Sequence, residues 1–464
     1  MSIIAGFVVP HAPILVKEVG KGEENKVIKT VESYKAVAKD IAKLKPDTII
    51  ISSPHAEAYS DYFSIAGTKT GYGSLANFNA PEVMINVNYD TELTDLIEKL
   101  SQEISFPAGK LGENSRTDFS SDHGSLVPLY FINQEYKNYR LVRLGLSGLS
   151  IAEHYRMGMI IQKAVEALGR NAVYVASGDL SHCQSKDGPY GFKPCGPQYD
   201  KMIMDTLEKA DFKGLLNYDP DFLDEAEVCG HDSFAIMAGA FDRKAVETKV
   251  LSHENTFGIG YGVVEYFVKG DDVNRNFYDQ YLDDRKELME EKSKKADIFA
   301  SLARRAINYY ILNNKPLPLD ASIPLELLNQ KAGAFVSIHE DQRLRGCIGT
   351  IQPIYPNLAE EIIHNACEAS TRDPRFDPIL PKELPYLDIS VDVLSPFEAI
   401  SSKKELDPKK YGVIVMNSGR EGLLLPDLEG VDTVDQQIKI AKRKAGIGDD
   451  EEVKLFRFTS RRHV

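Results

Sequence analysis

The chain has 464 residues, which exceeds one ordinary hydrophobic core and predicts two or three domains of about 100–200 residues each. Its formal net charge of -14 repels polyanions, so we expect no general nucleic-acid binding and favour small-molecule ligands. No apolar run approaches the roughly 20 residues of a membrane span, and the first residues show no signal-peptide pattern. We therefore expect a cytoplasmic protein that does not bind membranes.

The N-terminal part alternates between strand and helix patterns. After an apolar first strand, apolar residues at spacings of three and four predict a helix from Glu24 to Lys45, and a β-branched run follows. The same alternation continues through Val83–Leu100, and later through a predicted helix at Ile151–Leu168 and a predicted strand at Asn171–Ala176. Crossovers of this length favour parallel strands. Residues 1–268 are thus predicted to form an α/β domain with a mainly parallel central sheet flanked by helices.

The C-terminal part has a different pattern. Residues 269–295 are highly charged, which predicts a linker or an exposed helix. From residue 296, a helical spacing at Ile298–Leu312 is followed by strand-like alternation at Phe335–His339, Leu387–Leu394 and Gly412–Met416. Residues 296–464 are therefore predicted to form a smaller α+β domain.

Three histidines each lie just past an apolar, β-branched run. His11 and His55 both follow a proline, and His182 ends the segment Ser177-Gly-Asp-Leu-Ser-His182. In an open α/β sheet, ligands and catalytic groups collect at the carboxyl ends of the strands, so these side chains are expected to converge. Imidazole is the commonest neutral metal ligand. A metal-dependent enzyme is the first hypothesis.

A fourth histidine, His123, lies in Ser121-Asp-His-Gly124 at the start of an apolar segment. In this order, the four histidine segments resemble the LigB-type class III extradiol dioxygenase superfamily, which includes the Memo-like proteins. The resemblance covers roughly residues 1–268. It implies that His11 and His55 hold Fe(II) together with a later acidic residue and that His182 acts as acid and base. It also implies that His123 is a hydrogen-bond donor, either to the substrate or to a metal ligand.

The third ligand falls in the segment Glu225-Ala-Glu227-Val-Cys229. The resemblance to the superfamily favours the carboxylate of Glu227, whereas Memo-like relatives present a cysteine, which makes Cys229 the alternative. Two histidines and a carboxylate leave open positions on Fe(II), while a thiolate favours copper(I), zinc or a redox role.

The resemblance implies that a small catechol-like aromatic is cleaved with oxygen at a non-haem Fe(II). A metal-dependent hydrolase would use the same residues, with zinc as the metal. A Memo-like redox or metal-binding interaction module is the third hypothesis. The sequence alone leaves these three open.

The second domain has its own motifs. Leu344-Arg-Gly-Cys-Ile-Gly-Thr350 and the later Arg372-Asp-Pro-Arg375 resemble the AMMECR domain family over roughly residues 296–464. A fusion of both domains resembles the AmmeMemoRadiSam system A family, whose name implies a radical S-adenosylmethionine enzyme as partner. Cys347 is expected in a loop between glycines. Arg345, Cys347, Arg372 and Arg375 are the candidate site for an anion or a partner, and a tightly packed turn with ion-paired arginines is the alternative.

Overall fold

The computed structural model describes residues 2–111, 120–428 and 430–464. The chain divides into two compact units, Met1–Leu282 and Asp283–Val464. The division falls inside a helix, Phe277–Lys295, in the segment for which the sequence predicted a charged linker or an exposed helix. Across the described residues, no helix is both long and apolar enough to cross a membrane.

The N-terminal unit alternates strands and helices. Its strands are β1 (Ile3–Val9), β2 (Thr48–Ser53), β3 (Phe63–Ser64), β4 (Thr70–Leu75), β5 (Ala80–Asn88), β6 (Ala108–Gly109), β7 (Arg140–Gly145), β8 (Ala172–Ser177), β9 (Lys244–Glu254) and β10 (Tyr261–Asp271). Its helices are α1 (Lys17–Gly20), α2 (Ile28–Leu44), α3 (Thr91–Glu103), α4 (His123–Glu135), α5 (Ile151–Leu168), α6 (Cys195–Glu208), α7 (Phe212–Leu215), α8 (Pro220–Glu225) and α9 (His231–Gly239), followed by α10 (Phe277–Lys295) at the division.

The central sheet has the strand order β7-β2-β8-β1-β10-β9. The first four strands are parallel, whereas β10 runs antiparallel to β1 and β9 antiparallel to β10. The prediction of a mainly parallel sheet flanked by helices is thus confirmed. The isoleucines of strand β2 are buried on both faces of the sheet. Ile49 and Ile51 pack in the cluster with α2 and α4, and Ile50 packs in the cluster with α5 and α9. A parallel sheet covered on both faces requires apolar residues on both.

The segment Val83–Leu100 departs from the predicted alternation in one respect. Its strand, β5, does not join the central sheet but pairs antiparallel with β4 in a separate hairpin. Val83, Ile85 and Val87 are buried while the residues between them are exposed. A strand with one solvated face suits an antiparallel pair better than the interior of a parallel sheet.

Helices α5 and α9 touch backbone to backbone. A Cβ atom on Gly158 would lie 1.9 Å from the carbonyl oxygen of Ile236, and one on Gly239 would lie 1.8 Å from that of Tyr155. Only glycine permits this approach. The contact fixes α9, which begins two residues after Cys229.

The C-terminal unit contains two antiparallel four-stranded sheets and flanking helices, which confirms the α+β prediction. The sheet orders are β12-β11-β13-β18 and β14-β17-β15-β16. Its strands are β11 (Ala334–Glu340), β12 (Arg343–Gly349), β13 (Asp388–Leu394), β14 (Glu398–Ile400), β15 (Gly412–Asn417), β16 (Arg420–Leu424), β17 (Lys454–Phe458) and β18 (Ser460–His463). Its helices are α11 (Ile298–Asn313), α12 (Leu325–Asn329), α13 (Leu358–Thr371) and α14 (Val434–Lys444).

One face of the first C-terminal sheet packs on helices. Val336, Ile338 and Val391 lie in one buried cluster with the apolar residues of α11 and α13. Because side chains alternate along a strand, the residues between them occupy the opposite face. These include Ser337 and Asp392, which are buried polar residues.

We predict that Gly239→Ala lowers the free energy of unfolding of the N-terminal unit by about 1–3 kcal/mol or more, because the added methyl group forces α5 and α9 apart. Thermal and urea unfolding of the full chain measure the effect. Lys163→Ala, at an exposed position of α5, is the matched control and should leave the stability nearly unchanged. Equal stability of the two variants would contradict the close helix contact.

Candidate metal centre

Three neighbouring parallel strands end at one edge of the central sheet. Strands β2, β8 and β1 lie side by side; His55 follows β2, Asp179 and His182 follow β8, and His11 follows β1. The carboxyl ends of parallel strands share an edge, which is where α/β proteins place their ligands. The structure thereby brings together the three histidines that the sequence placed after strands.

The closest donor atoms belong to His11, His55 and Cys229. The Nε2 atoms of the two histidines are 3.0 Å apart, and Cys229 Sγ lies 3.7 Å from His11 Nε2. One ligand atom from each of these three residues lies within 4.8 Å of the others. Asp179, His182 and Cys229 form a second group that meets the same distance limit. Cys229 therefore stands at the middle of the cluster.

Hydrogen bonds orient His11 toward the cluster. Its Nδ1 atom lies 3.1 Å from Ser177 Oγ, and Ser177 Oγ donates to the carbonyl oxygen of Gly124 at 2.5 Å. Since the Ser177 hydroxyl proton is directed at that carbonyl, the hydroxyl oxygen accepts from Nδ1–H and leaves Nε2 unprotonated. The backbone N–H of His11 also donates to Asp179 Oδ1 at 2.8 Å. A hydrogen bond from the ring nitrogen that does not face the metal, as from Nδ1 of His11 to Ser177, fixes the tautomer of a metal-binding histidine.

Burial sets the protonation state of the imidazoles. Desolvation, together with the neighbouring His55, lowers the pKa of His11 to about 3. Desolvation, together with His55 and His11, lowers the pKa of His123 to about 4. Burial lowers the pKa of His55 as well. Neutral imidazole is the form that binds metal ions, so these rings are ready to bind at neutral pH.

The acidic groups of the cluster are shifted toward their neutral forms. Burial raises the pKa of the Cys229 thiol, and the charge of Asp179 raises it further. Burial also raises the pKa of Asp179, although the His11 N–H and the nearby histidines oppose this effect. A bound cation reverses this balance, because a coordinated thiol gives up its proton.

Asp122 supports the loops that carry His55 and His123. It caps α4 by accepting from the Ser125 N–H, and it accepts from Ser53 Oγ at 2.6 Å. Ser53 Oγ in turn accepts from the His55 N–H. Although burial opposes ionisation, the Arg143 guanidinium and the two serines lower the pKa of Asp122. The Asp122 carboxylate thus links the segments that carry His55 and His123.

His182 and His123 lie at the sides of the cluster. The Nδ1 atom of His182 is hydrogen-bonded to the carbonyl oxygen of Glu227, and its Nε2 lies 4.0 Å from Cys229 Sγ. The centre of the His123 ring lies 4.0 Å from the centre of the His55 ring and 5.2 Å from that of the Phe78 ring. Tyr190 lies 5.3 Å from the ring of His182.

Glu227 does not join the metal cluster. Its side chain forms an ion pair with Lys193 at 3.1 Å and is 41% exposed, while its carbonyl oxygen contacts His182. The residue adopts a left-handed backbone with φ of 50°, two positions before Cys229. This turn directs Cys229 inward and Glu227 outward, so the structure brings the alternative ligand to the histidines and not the acid that the sequence favoured.

Two residues of the site were missed by sequence reasoning, although their segments were noted. Asp179 and Ser177 stand beside His182 in the same short motif, yet only the histidine was assigned a role. Both are buried, and both hydrogen-bond to His11. A buried acid in a glycine-containing turn directly after a strand is the signal that was available.

The candidate residues of the C-terminal unit are placed differently from the expectation. Cys347 lies in strand β12, not in a loop, because its neighbours pair with β11. Arg345 donates to Glu383 Oε1 and to the carbonyl oxygen of Asp377, and Arg372 pairs with Glu368. Arg375 pairs with Asp373 and also donates to the carbonyl oxygen of Cys347 at 3.3 Å. Of the three arginines, Arg375 is the one that contacts Cys347.

We predict that His123 makes the metal-free protein sensitive to acid. The pKa of His123 in the folded protein is about 4, below the value of 6.5 for an ordinary histidine in an unfolded chain. The unfolded chain therefore takes up the proton first as pH falls. This difference lowers the free energy of unfolding by up to about 1.4 kcal/mol per pH unit between pH 6.5 and 4. In chelator-treated protein, His123→Asn should therefore lose less stability than the parent over that range, as measured by urea unfolding. Equal losses would contradict the prediction.

Comparison with known proteins identifies both parts of the chain. Residues 5–264 match the family model of the catalytic LigB subunit of aromatic ring-opening dioxygenase, and residues 300–463 match that of AMMECR1. Protein CA_C1420 of Clostridium acetobutylicum is 41% identical, over 100% of this chain and 99% of the relative. A protein of Thermotoga maritima is 52% identical over 167 residues, which are 36% of this chain and 96% of that protein.

Among solved structures, protein PH0010 of Pyrococcus horikoshii matches with a TM-score of 0.34 and 32% identity, over 36% of this chain and 89% of that one. The LigB match covers more than half of the present chain. The chain therefore belongs to the LigB family of aromatic ring-opening dioxygenase catalytic subunits, and an AMMECR1 domain follows its LigB domain.

Proposed function

We propose that the N-terminal unit is a metal-dependent oxidoreductase whose metal ligands are His11, His55 and Cys229. The observation that carries this proposal is the position of Cys229 Sγ, 3.7 Å from His11 Nε2 and within one 4.8 Å group with His55. Membership of the LigB family supports metal chemistry in this unit.

The donor set fits a transition metal. Two imidazoles are neutral at pH 7, and the buried thiol supplies a soft anionic ligand once its proton leaves. Two histidines and one thiolate suit copper, zinc or iron better than magnesium or calcium. A metal bound here would supply Lewis-acid or one-electron redox chemistry to a substrate.

The surrounding side chains suit proton transfer and substrate binding. The Glu227 carbonyl accepts from Nδ1–H of His182, so the lone pair of the neutral ring lies on Nε2. This atom lies 4.0 Å from Cys229 Sγ and is placed to take a proton from a substrate hydroxyl. His123 and Phe78 lie next to His55 and offer a neutral imidazole and an aromatic surface. A small aromatic substrate, as the sequence resemblance implies, remains our proposal for this position.

Cleavage of a catechol with oxygen at Fe(II) is the specific activity that the resemblance implies. That chemistry is typical of two histidines and a carboxylate. The expected carboxylate of Glu227 faces Lys193, and the thiol of Cys229 stands beside the histidines instead. We therefore propose Fe(II) or copper as the metal, in a redox role, and treat zinc-dependent hydrolysis as an outcome of the test below.

The partner and location of the protein stay predictions. A radical S-adenosylmethionine enzyme is proposed to bind through the AMMECR1 domain, on the resemblance of the fusion alone. A cytoplasmic location is proposed from the sequence pattern alone.

We predict that the parent protein, purified without oxygen, binds about one metal ion per chain. The double variant His11→Ala, His55→Ala should lose it, because two of the three ligands are gone. Cys229→Ser should weaken metal binding by more than about 10–100-fold, because that range is typical of losing a residue that only hydrogen-bonds to a metal ligand. Elemental analysis and competition with a chelator measure both effects.

Glu227→Gln is the matched control, since it lies two residues from Cys229 and removes the carboxylate charge. We expect it to keep its metal. If Glu227→Gln loses metal and Cys229→Ser retains it, the carboxylate is the ligand and the assignment of Cys229 is wrong. If the parent binds no metal after reconstitution, the proposal as a whole fails.

A second prediction concerns His182. Iron- or copper-loaded protein should consume oxygen when given catechol, and His182→Ala should slow this by about 10²–10⁴-fold while keeping its metal. Oxygen electrode traces measure the rate, and elemental analysis of the same sample provides the control. Hydrolysis of an activated ester by zinc-loaded protein, without oxygen uptake by the iron or copper forms, would identify a hydrolase instead.

A further inference from the structure

An acid–histidine pair outside the metal cluster is hydrogen-bonded to the segment that carries His182. Asp200 lies on α6 and is 2% exposed, and its Oδ2 atom is 3.0 Å from Nε2 of His253 on β9. Its other oxygen, Oδ1, accepts from the backbone N–H of Ser181 at 3.0 Å. Ser181 immediately precedes His182 in the chain. A buried carboxyl group is thus bonded to the neighbour of the histidine to which we assign proton transfer.

Every polar group of Ser181 has a hydrogen-bond partner. Besides the bond from its N–H to Asp200, its carbonyl oxygen accepts from the Gly260 N–H at 2.9 Å. Its hydroxyl group donates to the carbonyl oxygen of Ala226 at 2.7 Å and accepts from the Cys183 N–H at 3.1 Å. The backbone directly before His182 is therefore fixed by contacts with three other parts of the chain.

The ring of His182 is held by the segment that Ser181 also contacts. Ser181 forms a bridge with Val228, and the carbonyl oxygen of Glu227 is hydrogen-bonded to Nδ1 of His182. The same segment leads directly to Cys229, whose Sγ lies 4.0 Å from Nε2 of His182. A shift of Ser181 would therefore change both the ring hydrogen bond of His182 and the distance from its Nε2 to the sulfur.

Gly260 leaves the space that the Asp200 carboxyl group occupies. A Cβ atom at this position would lie 2.0 Å from Asp200 Oδ2. The backbone of Gly260 cannot move away freely, because its carbonyl oxygen accepts from the Leu180 N–H at 2.8 Å while its N–H donates to Ser181. The close approach of the acid to Ser181 thus depends on the absence of a side chain at residue 260.

His253 holds Asp200 in the orientation that reaches Ser181. Burial raises the pKa of Asp200, whereas the hydrogen bonds from His253 and from the Ser181 N–H oppose that shift. Two N–H donors, one on each oxygen, favour the ionised carboxylate and fix its rotation. The His253 side chain is 35% exposed, so the hydrogen-bonded series from Ser181 through Asp200 ends near the surface.

We propose that Asp200 is a positioning residue for His182, acting through the Ser181 N–H, and that His253 keeps the Asp200 carboxylate in place. Neither Asp200 nor His253 has to touch a metal ion or a substrate in this role. The inference rests on the proposed function of His182 in proton transfer. It extends that function to two residues on α6 and β9 that the metal centre itself does not use.

The first test observes the histidine rings of the metal-free full chain by 15N NMR, at a pH at which ordinary imidazoles are neutral. In the parent we expect His182 to carry its proton on Nδ1 and His253 to carry it on Nε2, as their hydrogen bonds require. Asp200→Ala should convert the single tautomer of His182 into a mixture, because the Ser181 N–H loses its acceptor. His182→Gln and His253→Gln identify the two signals.

Asp205→Ala is the matched control for Asp200→Ala. Asp205 lies on the same helix and is exposed, so its removal changes the charge of the chain equally without touching Ser181. We expect both histidine rings to keep their parental tautomers in this variant.

Asp200→Asn separates the hydrogen bond to Ser181 from the carboxylate charge. Only the amide oxygen can accept from the Ser181 N–H, so the amide NH2 group faces His253 and Nε2 of His253 must accept from it. We therefore expect His253 to move its proton to Nδ1 while His182 keeps its parental tautomer. A general loss of stability would not produce this selective exchange.

Gly260→Ala displaces the Asp200 carboxyl group without removing it. We expect it to disturb the tautomer of His182 as Asp200→Ala does, since the new methyl group occupies the position of Oδ2. Circular dichroism of each variant shows whether the fold is retained. If Asp200→Ala does not fold, the comparison of Gly260→Ala with Asp200→Asn decides the role of Asp200.

Oxygen uptake by metal-loaded protein with catechol is the second readout. Asp200→Ala should lower kcat by up to about 100-fold with little change in KM or metal content, because His182 is misplaced. Asp200→Asn should recover most of the parental rate. A parent without oxygen uptake would count against the proposed function, whereas the tautomers of His182 and His253 in metal-free protein would still decide the role of Asp200.

The proposal is overturned if His182 keeps its parental tautomer in both Asp200→Ala and Gly260→Ala. It is equally overturned if Asp200→Asn disturbs His182 as strongly as Asp200→Ala, because the retained acceptor for the Ser181 N–H would then have no effect. An equal response to Asp205→Ala would trace the change to overall charge and would also contradict the assignment.

Discussion

The hydrogen bonds between the ends of β1 and β8 are the interaction on which the candidate metal centre depends. The His11 N–H donates to Asp179, and the His11 ring is hydrogen-bonded to Ser177. The segment that follows β1 is therefore tied at two points to the end of β8 and the turn after it. His55 and His123 are joined to the same edge through Ser53 and Asp122. The side chains of the cluster are therefore held by contacts between adjacent strand ends, and none of them needs a long flexible loop to reach the site.

Desolvation gives this arrangement its chemical character. Three imidazoles, a thiol and a carboxyl group lie within a few ångströms of one another, and burial favours the neutral form of each of the groups whose pKa is shifted. A metal cation would stabilise the thiolate and bind the unprotonated nitrogens, so the same burial that favours the neutral forms of these groups also suits metal binding.

In the C-terminal unit, buried acidic side chains form ion pairs with arginines. Asp373 and Asp392 are buried and pair with Arg375 and Arg462, and each holds a guanidinium group near the surface. The alternation of side chains along β11 and β13 places Ser337 and Asp392 on the face opposite α11 and α13. The motif around Cys347 thus belongs to an ordered strand surface, which explains why the cysteine is partly accessible without lying in a loop.

Local patterns in the sequence were enough to predict most elements of the N-terminal unit. The helix predicted at Ile151–Leu168 has those bounds in the structure, and the histidines expected at strand ends do share one edge of the sheet. Helical periodicity, β-branched runs and parallel topology carry this information directly, because each depends on short-range spacing or on the direction of the strands. The separate hairpin of β5 was not predicted, since strand pairing depends on partners distant in sequence.

Which of Glu227 and Cys229 lies beside the histidines is decided by the tertiary structure alone. The two residues are two positions apart, and nothing in their local sequence states which side chain faces the histidines. A left-handed backbone at Glu227 and an ion pair to Lys193, which lies 34 residues earlier, turn the carboxylate away from the cluster. The sequence determined which residue types were available at the sheet edge, whereas the long-range contacts determined which of them point into it, because side-chain direction in a turn depends on the elements packed around it.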